Sequence, residues 1–382
     1  MNPLDSASSV ERYLCDRAVD TQTPINGSLE LLPLCNMNCD MCYVRLSKEE
    51  MDRLGRMRTV EEWLAIGRQM KEAGVLFLLL TGGEPLLFPD FQKLYLGLKE
   101  MGMILTINTN ATLITEEMAA FFGKHKPRRI NITLYGKDEA AYADLCHFPG
   151  GFARTVQGIR LLRKYGVDVK ISSSMTRSNA NDWEEIIALG KELDAPVRID
   201  CYMYPAVRER SLPYPAECRL EPEEAAQLRV KVLRAEMGDE LFQKYALATL
   251  QRKADTLPGE YTPGKVHCMA GRCSFTVNWQ GLMRPCVVMT TPEANVFTLG
   301  FREAWEQIWA ATDAITTNPQ CSVCTYRNVC QTCAACAMAE EGAFDALPAY
   351  MCRYTKETIS ALEKYTAECA VECAAEETMQ PK

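Results

Sequence analysis

Short apolar segments alternate with helical patterns over the first half of the chain, and this alternation constrains the fold more than any other feature. "VLFLLLTGG" at 75–83, for example, is nearly all apolar, as expected of a strand buried on both faces. The predicted strands are 28–34, 75–83, 103–110, 129–136, 167–174 and 197–203, and the helical patterns between them are 59–74, 90–102, 115–125, 152–166 and 181–193. Parallel connections need roughly a dozen or more residues, so the pattern predicts an α/β fold built on a partial parallel (β/α)6 barrel.

Polar or glycine-rich segments follow these strands. A cysteine triplet comes after the first strand, and "TGGEP", "NTNAT", "TLYG" and "SSSM" come after the next four. Ligands of such sheets bind at the carboxyl ends of the strands. We therefore expect these segments to face one common mouth.

Composition excludes several classes of protein. Of the 382 residues, 24% are charged and 47% hydrophobic, an ordinary globular balance. The net charge of -8 argues against a broad nucleic-acid footprint, and the densest basic run, "KHKPRR" (124–129), is a short surface segment on this interpretation. The first residues lack the pattern of a signal peptide, and no segment reaches about 18 uncharged apolar residues. The prediction is a cytoplasmic protein with no nucleic-acid and no membrane partner.

The eighteen cysteines are the most informative part of the composition. A reducing cytosol keeps thiols free, so metal ligation explains their number better than disulfides. Three lie within 35–42 and nine within 268–352. The remaining six are predicted to be structural, because free cysteine packs as a small hydrophobe: Cys15, Cys146, Cys201, Cys218, Cys369 and Cys373.

Cys35, Cys39 and Cys42 have the spacing C-x3-C-x2-C on one loop. Clusters of the [4Fe–4S] type are normally held by four thiolates, so three thiolates leave one iron open. Catalytic metal sites keep such an open position, whereas structural sites are closed. The alternative is a zinc site, but zinc would need a nearby fourth ligand and this spacing is unusual for it.

The triplet, followed on the next strand by "GGEP" (82–85), resembles the radical S-adenosylmethionine (SAM) superfamily. In that family the open iron binds the amino and carboxylate groups of SAM. An electron from the cluster cleaves the S–C5′ bond, and the resulting 5′-deoxyadenosyl radical abstracts a hydrogen atom from the substrate. The resemblance makes Cys35, Cys39 and Cys42 the cluster ligands. It also implies that Gly82, Gly83 and Glu84 meet the methionine amino group.

The resemblance implies further cofactor contacts. Met41 stands where the family usually has an aromatic residue near adenine. Asn108, Thr133 and Ser173 stand at the ends of the third, fourth and fifth predicted strands, where polar residues of the family bind the cofactor.

The C-terminal cysteines form two groups around an apparent hairpin that turns at Gly281. Their layout resembles the SPASM extension of radical SAM maturases, which carries two auxiliary [4Fe–4S] clusters. The resemblance assigns Cys268, Cys273 and Cys286, with Cys333 or Cys336, to the first cluster; the alternative is that this cluster has no fourth cysteine and is open to substrate. It assigns Cys321, Cys324, Cys330 and Cys352 to the second, so that three clusters are expected in all. The alternative is a pair of zinc ribbons that act as a binding module.

The expected organisation has five parts. These are an N-terminal segment (1–26), the radical SAM core (27–215), a helical bridge (216–260), the SPASM domain (261–356) and a C-terminal helix or tail (357–382).

The resemblance implies a radical SAM oxidoreductase, and we expect one that installs a thioether or carbon–carbon cross-link in a ribosomally synthesised peptide. Oxidation of a small metabolite or tetrapyrrole and sulfatase-type maturation are the alternatives. Val287 stands where the sulfatase-maturing branch has an aspartate, which disfavours that branch. Asp200 and Tyr202 are the candidate catalytic base. The expected partners are a peptide or protein substrate and a flavodoxin- or ferredoxin-type electron donor. About 27 residues precede the first strand, too few for a fused leader-binding domain, which leaves a separate leader-recognition protein or a leaderless or small substrate as alternatives.

Overall fold

The computed structural model describes residues 9–205, 218–257 and 259–379. The strands are β1 (Asn26–Glu30), β2 (Phe77–Thr81), β3 (Ile104–Thr109), β4 (Arg129–Thr133), β5 (Val169–Ser174), β6 (Val197–Asp200), β7 (Gly264–Lys265), β8 (Ser274–Val277), β9 (Leu282–Arg284), β10 (Ala294–Asn295) and β11 (Thr316–Thr317).

The helices of the first half are α1 (Ser9–Asp20), α2 (Lys48–Leu54), α3 (Val60–Glu72), α4 (Phe91–Glu100), α5 (Glu116–Lys124), α6 (Glu139–Leu145), α7 (Gly151–Lys164) and α8 (Trp183–Glu192). Those of the second half are α9 (Pro222–Met237), α10 (Asp239–Ala254), α11 (Val296–Leu299), α12 (Phe301–Asp313), α13 (Pro319–Val323), α14 (Ala334–Glu341) and α15 (Ala349–Met379).

The six predicted strands form a parallel sheet in chain order from β1 to β6, with helices in the connections, and the predicted α/β class is confirmed. Local signals explain where the helices begin. Thr59 accepts a hydrogen bond from the backbone N–H of Glu62, whose side chain accepts one from the N–H of Thr59, and this capping box starts α3. β1 is shorter than predicted, because residues 31–34 already belong to the loop that leads to the cysteine triplet.

The cysteine-rich region continues the same sheet. β8 pairs in parallel with β1, and β9 and β10 follow as antiparallel neighbours, giving nine strands among the described residues. The predicted hairpin turns at Gly281, whose φ of +91° favours glycine. The boundary of this region at residue 261, like the other domain boundaries, stays a prediction.

The predicted helical bridge consists of two helices, α9 and α10, and both pack against α15. Leu233, Phe242, Leu362 and Tyr365 belong to the apolar cluster between them. α15 starts at Ala349, earlier than the predicted tail helix, so Cys352 lies in its first turn. The predictions for residues 1–8, 206–217 and 380–382 lie outside the described residues.

Across the ranges that the structure describes, no helix has the length and apolarity required to cross a membrane.

Candidate active site

A cavity of about 800 Å³ lies at the carboxyl ends of β1 to β6. It extends from the loop after β1 to the segment 328–331 and to α15. Many of the predicted site residues line it: Cys35, Cys39, Met41, Cys42, Gly82, Gly83, Asn108, Thr133, Asp200, Tyr202 and Cys330. The expected common mouth therefore exists.

Gly82 and Gly83 let the segment after β2 pass directly against the loop after β1. The backbone N–H of Gly83 donates to the carbonyl oxygen of Leu32 at 2.8 Å, and that of Glu84 donates to Leu34 at 2.9 Å. A Cβ on Gly83 would lie 2.2 Å from the carbonyl oxygen of Leu34, and one on Gly82 would lie 2.5 Å from that of Leu32. Only glycine fits this close approach, which fixes the cysteine loop relative to β2.

Glu84 is fully buried and does not border the cavity. Its Oε1 accepts hydrogen bonds from the hydroxyl of Thr109 at 2.7 Å and the backbone N–H of Leu86 at 3.0 Å, and its Oε2 accepts one from the N–H of Asn110 at 2.8 Å. Burial raises the pKa of Glu84 to about 7, although these hydrogen bonds favour the charged form. The expectation that Glu84 meets the cofactor stays a prediction. Because its carboxylate is buried, we propose instead a positioning function, in which Glu84 orders the end of β3.

Asn110 connects that ordered segment to the cysteine loop. Its side-chain amide donates to Oδ1 of Asn36 at 2.9 Å and lies 3.7 Å from Sγ of Cys35. Asn110 also lines the cavity. The sequence prediction selected Asn108 from "NTNAT" and missed Asn110, although the same motif contains both residues.

The end of α6 holds the cysteine loop from the other side. The backbone N–H of Asn38 donates to the carbonyl oxygen of Cys146 at 3.0 Å, and that of Asp40 donates to Leu145 at 3.1 Å. The ring of His147 is hydrogen-bonded to Oδ1 of Asp40 at 2.6 Å. These contacts join residues more than a hundred positions apart, and no motif in the sequence indicates them.

Cys146 is itself close to the triplet. Its buried thiol is hydrogen-bonded to that of Cys39, and this contact together with burial raises the pKa of Cys39. Cys146 does not border the cavity, so it stands behind Cys39 rather than between the triplet and the open space.

The three thiols of the triplet suit an iron–sulfur cluster. All three border the cavity, which leaves open space on the side away from the loop. Within the described ranges, no three His, Cys, Asp or Glu side chains converge closely enough to hold a single metal ion. A four-iron cluster spreads its thiolates over separate irons and does not require such convergence. Burial raises the pKa of Cys35 to about 12, so cluster assembly there would release a proton.

Each of the other strands directs alternate side chains toward the cavity, and this decides which polar residues at the strand ends line it. Asn108 and Thr133 line the cavity, and Asn108 accepts a hydrogen bond from the amide of Asn131 at 2.8 Å. Ser173 is buried on the opposite side of β5, and Ser174 lines the cavity instead. Because successive side chains of a strand point to opposite faces, an error of one residue changes the face. Ser174 therefore replaces Ser173 as the β5 residue that we propose for cofactor contact.

Asp200 and Tyr202 both line the cavity but differ in environment. The carboxylate of Asp200 is partly exposed and accepts a 3.0 Å hydrogen bond from Nε of Arg198. The ring of Tyr202 packs edge-on against Tyr354 at 5.1 Å between centroids, and its hydroxyl lies 3.8 Å from Sγ of Cys336. Burial raises the pKa of Tyr202 far above its usual value, so Asp200 is the better candidate for a base near neutral pH.

Comparison with known proteins bears directly on this arrangement. Residues 29–190, which include the triplet and "GGEP", match the family model described as the radical SAM superfamily. The chain contains a radical SAM domain. The resemblance inferred from the motifs is therefore confirmed.

Relatives and solved structures extend the similarity beyond the radical SAM domain. The AdoMet-dependent heme synthase of Methanosarcina barkeri is 25% identical over 333 residues, which are 84% of this chain and 94% of that protein. The PqqA peptide cyclase of Rhodopseudomonas palustris is 25% identical over 328 residues, which are 83% of this chain and 80% of that protein. The crystal structure of Streptococcus suis SuiB bound to S-adenosylmethionine has a TM-score of 0.65 at 17% identity and covers 91% of this chain and 83% of that one.

Outside the radical SAM domain, the predicted ligands of the second auxiliary cluster lie near one another. The hydroxyl of Thr355 donates to Sγ of Cys330 at 3.5 Å, and α15 thereby meets the segment that contains Cys330. Burial, and then the charges of Cys330, Cys321 and Cys324, raise the pKa of Cys352. The four thiols therefore belong to one local environment.

The predicted ligands of the first auxiliary cluster lie in different surroundings. Cys286 and Cys333 border one small apolar cluster, and a hydrogen bond from Cys336 lowers the pKa of Cys333 to about 6. Cys273 is fully buried and packs with Cys15 beneath α1. The choice between Cys333 and Cys336 stays open, and so does the assignment of Cys273 as a ligand.

Proposed function

We propose that this radical SAM enzyme cleaves SAM and uses the resulting radical to oxidise a peptide residue, forming a thioether or carbon–carbon cross-link. The observation that carries the proposal is the cavity at the carboxyl ends of the strands. The thiols of Cys35, Cys39 and Cys42 border this cavity on one side, and the backbone of Gly82 and Gly83 borders it beside them.

The residues of the chain would divide the work as follows. Cys35, Cys39 and Cys42 would hold a [4Fe–4S] cluster, and Gly82 and Gly83 would bind the methionine part of SAM. When bound, the cluster and SAM together supply a 5′-deoxyadenosyl radical that removes a hydrogen atom from the substrate. Asp200 would accept the proton that the substrate loses on oxidation.

Met41, Asn108, Thr133 and Ser174 line the cavity around the proposed SAM position and would contact the nucleoside. The buried Glu84 would act only through Asn110, whose amide reaches Cys35. In this way the chain would orient both cofactors without a charged side chain at the centre of the site.

The C-terminal cysteines would hold two auxiliary [4Fe–4S] clusters in a SPASM arrangement. Cys330 lines the same cavity as the triplet, so an auxiliary cluster there would lie beside the substrate and could accept an electron from it. The proposal includes an external electron donor of the flavodoxin or ferredoxin type. It also includes a separate leader-recognition protein and a cytoplasmic location.

Two comparisons support a peptide substrate. One relative is a PqqA peptide cyclase, and one SuiB structure of similar fold, with a TM-score of 0.64, contains the precursor peptide SuiA. A tetrapyrrole is the second candidate, favoured by the similarity to an AdoMet-dependent heme synthase over most of both chains.

The test begins with anaerobic reconstitution with iron and sulfide. We expect about 12 Fe per chain from three four-iron clusters. Reduced enzyme with SAM should then release 5′-deoxyadenosine, and a Cys39→Ala variant should not. A zinc-loaded protein without iron, or intact clusters that yield no 5′-deoxyadenosine, would contradict the proposal. Mass spectrometry of candidate precursor peptides encoded beside the gene, and of a porphyrin, would show which substrate loses hydrogen.

A further inference from the structure

The charged side chains of the cavity wall are strongly biased in sign. Among the described residues that line it, the charged ones are Arg198, Arg229, Arg252 and Asp200. Arg198 is paired with Asp200 at 3.0 Å. The wall therefore carries two further positive charges, Arg229 and Arg252, although the chain as a whole has a net charge of -8.

Arg229 is half-buried on α9, and its guanidinium donates a hydrogen bond to the backbone carbonyl oxygen of Ile199 at 3.4 Å. Arg252 is on α10, and its guanidinium donates to the hydroxyl of Thr249 at 3.1 Å. Within the part of the chain that the structure describes, no carboxylate oxygen lies within 4.0 Å of either guanidinium, so neither forms an ion pair there. Each therefore keeps several N–H donors free for a ligand.

The two arginines lie far from the cysteine triplet in the order of the sheet. Ile199 belongs to β6, whereas the triplet follows β1, and four strands lie between them. Tyr354 lies near Arg229 and Tyr245, and the side-chain amide of Asn328 donates to the backbone carbonyl oxygen of Arg252 at 3.3 Å. Met351 and Ile359 line the same cavity. This end of the cavity thus combines apolar and aromatic side chains with two positive charges.

We propose that Arg229 and Arg252 bind carboxylate groups of the substrate, attached to an apolar body that contacts Tyr245 and Tyr354. This inference rests on the proposed function, since it names the chemistry of the molecule that the radical would oxidise. A planar guanidinium matches a carboxylate in a two-pronged hydrogen-bonded pair, and the partial burial of Arg229 strengthens that attraction, whereas Arg252 is exposed. These contacts would anchor the substrate at the part of the cavity wall that α9 and α10 form.

A carboxylate of this kind could belong to an acidic peptide side chain or to the propionate of a porphyrin. The probes are therefore two matched pairs. The first is a capped hexapeptide of Phe, Ala and two Glu residues, paired with the same peptide carrying Gln. The second is a porphyrin with propionate side chains, paired with its amide. Binding to the reconstituted enzyme is measured anaerobically by fluorescence or absorbance titration.

We expect at least one carboxylate probe to bind about tenfold or more tightly than its uncharged partner, and the pair that does so identifies the source. Arg229→Gln and Arg252→Gln should each weaken that probe about tenfold and leave its uncharged partner unchanged, whereas Arg229→Lys should retain part of the affinity. Arg234→Gln, on the same helix but ion-paired to Asp239 outside the cavity wall, is the control and should bind as the wild type does.

The inference is wrong if the wild type binds both members of each pair with equal affinity. It is also wrong if the arginine variants lose equal affinity for both members. Variants that lose SAM binding or iron, and not probe binding, would contradict it as well. Release of 5′-deoxyadenosine is measured separately. If it fails in the wild type while the carboxylate preference holds, the proposed function is wrong and the anion site stands.

Discussion

The backbone N–H of Asn110 donates a 2.8 Å hydrogen bond to Oε2 of Glu84 and thereby joins the segment after β3 to the segment after β2. The side chain of the same Asn110 reaches Asn36 and Cys35. Glu84 is therefore connected through one residue to the first thiol of the triplet, even though it does not border the cavity itself.

Replacing Glu84 by alanine should destabilise the protein. The change leaves the Thr109 hydroxyl and the N–H groups of Leu86 and Asn110 without their acceptor, and each unsatisfied buried donor costs about 1–3 kcal/mol. We expect a loss of roughly 3–9 kcal/mol in the free energy of unfolding, measured by urea denaturation of the apoprotein. Glu61→Ala is the control, because Glu61 is 68% exposed and its pair with Lys93 lies on the surface. Equal effects of the two substitutions would contradict the positioning function.

The contribution of Glu84 to stability depends on pH. Burial raises the pKa of Glu84 from 4.5 to about 7, so between these values the folded state keeps a proton that the unfolded state has lost. The contribution of Glu84 to stability therefore falls as pH rises through this window and is level above it. At 1.36 kcal/mol per unit of pKa, the fall is about 3 kcal/mol.

Glu84→Gln cannot ionise and should lack this fall. The difference in unfolding free energy between variant and wild type should change in favour of the variant by that amount from pH 4.5 to 7.5, measured by urea denaturation of both apoproteins. Parallel stability profiles would show that Glu84 titrates normally.

The strands could be predicted because short apolar segments that alternate with helical patterns are a strong local signal. The motifs "C-x3-C-x2-C" and "GGEP" could likewise be recognised from the sequence, because each lies within a single loop. Which serine of "SSSM" faces the cavity was not readable, since three adjacent serines show no alternation from which to choose a face.

Contacts between segments that are distant in the chain could not be predicted from the sequence. Nothing near Cys146 or His147 indicates that the end of α6 holds the cysteine loop, and nothing near Ser274 indicates that β8 pairs with β1. Arg229 and Arg252 were likewise part of a segment interpreted only as a bridge. These positions are fixed by the packing of the whole fold, which no local pattern encodes.

Gly83→Ala should displace the cysteine loop. The added Cβ would lie 2.2 Å from the carbonyl oxygen of Leu34, and a backbone atom cannot move aside without moving the loop. We expect a destabilisation of roughly 2–3 kcal/mol and lower iron content after reconstitution. Gly102→Ala is the control: its φ of +93° also strains alanine, by about 1–2 kcal/mol, but nothing lies within 4 Å of the new Cβ. Loss of iron in both variants would mean that destabilisation alone, rather than the loop contact, accounts for it.

Cys146 lies close enough to Cys39 to raise the question of a fourth cluster ligand, which would leave no iron free to bind SAM. The thiol of Cys146 is hydrogen-bonded to that of Cys39, yet Cys146 stands outside the cavity wall. If it only packs there, Cys146→Ala should keep the iron content and the release of 5′-deoxyadenosine near wild-type levels, because the carbonyl oxygen that accepts from Asn38 remains. Cys39→Ala should lose about four iron atoms per chain and all SAM cleavage. A loss of those four irons in Cys146→Ala as well would make Cys146 a fourth ligand, and the cluster would then have no free position for SAM.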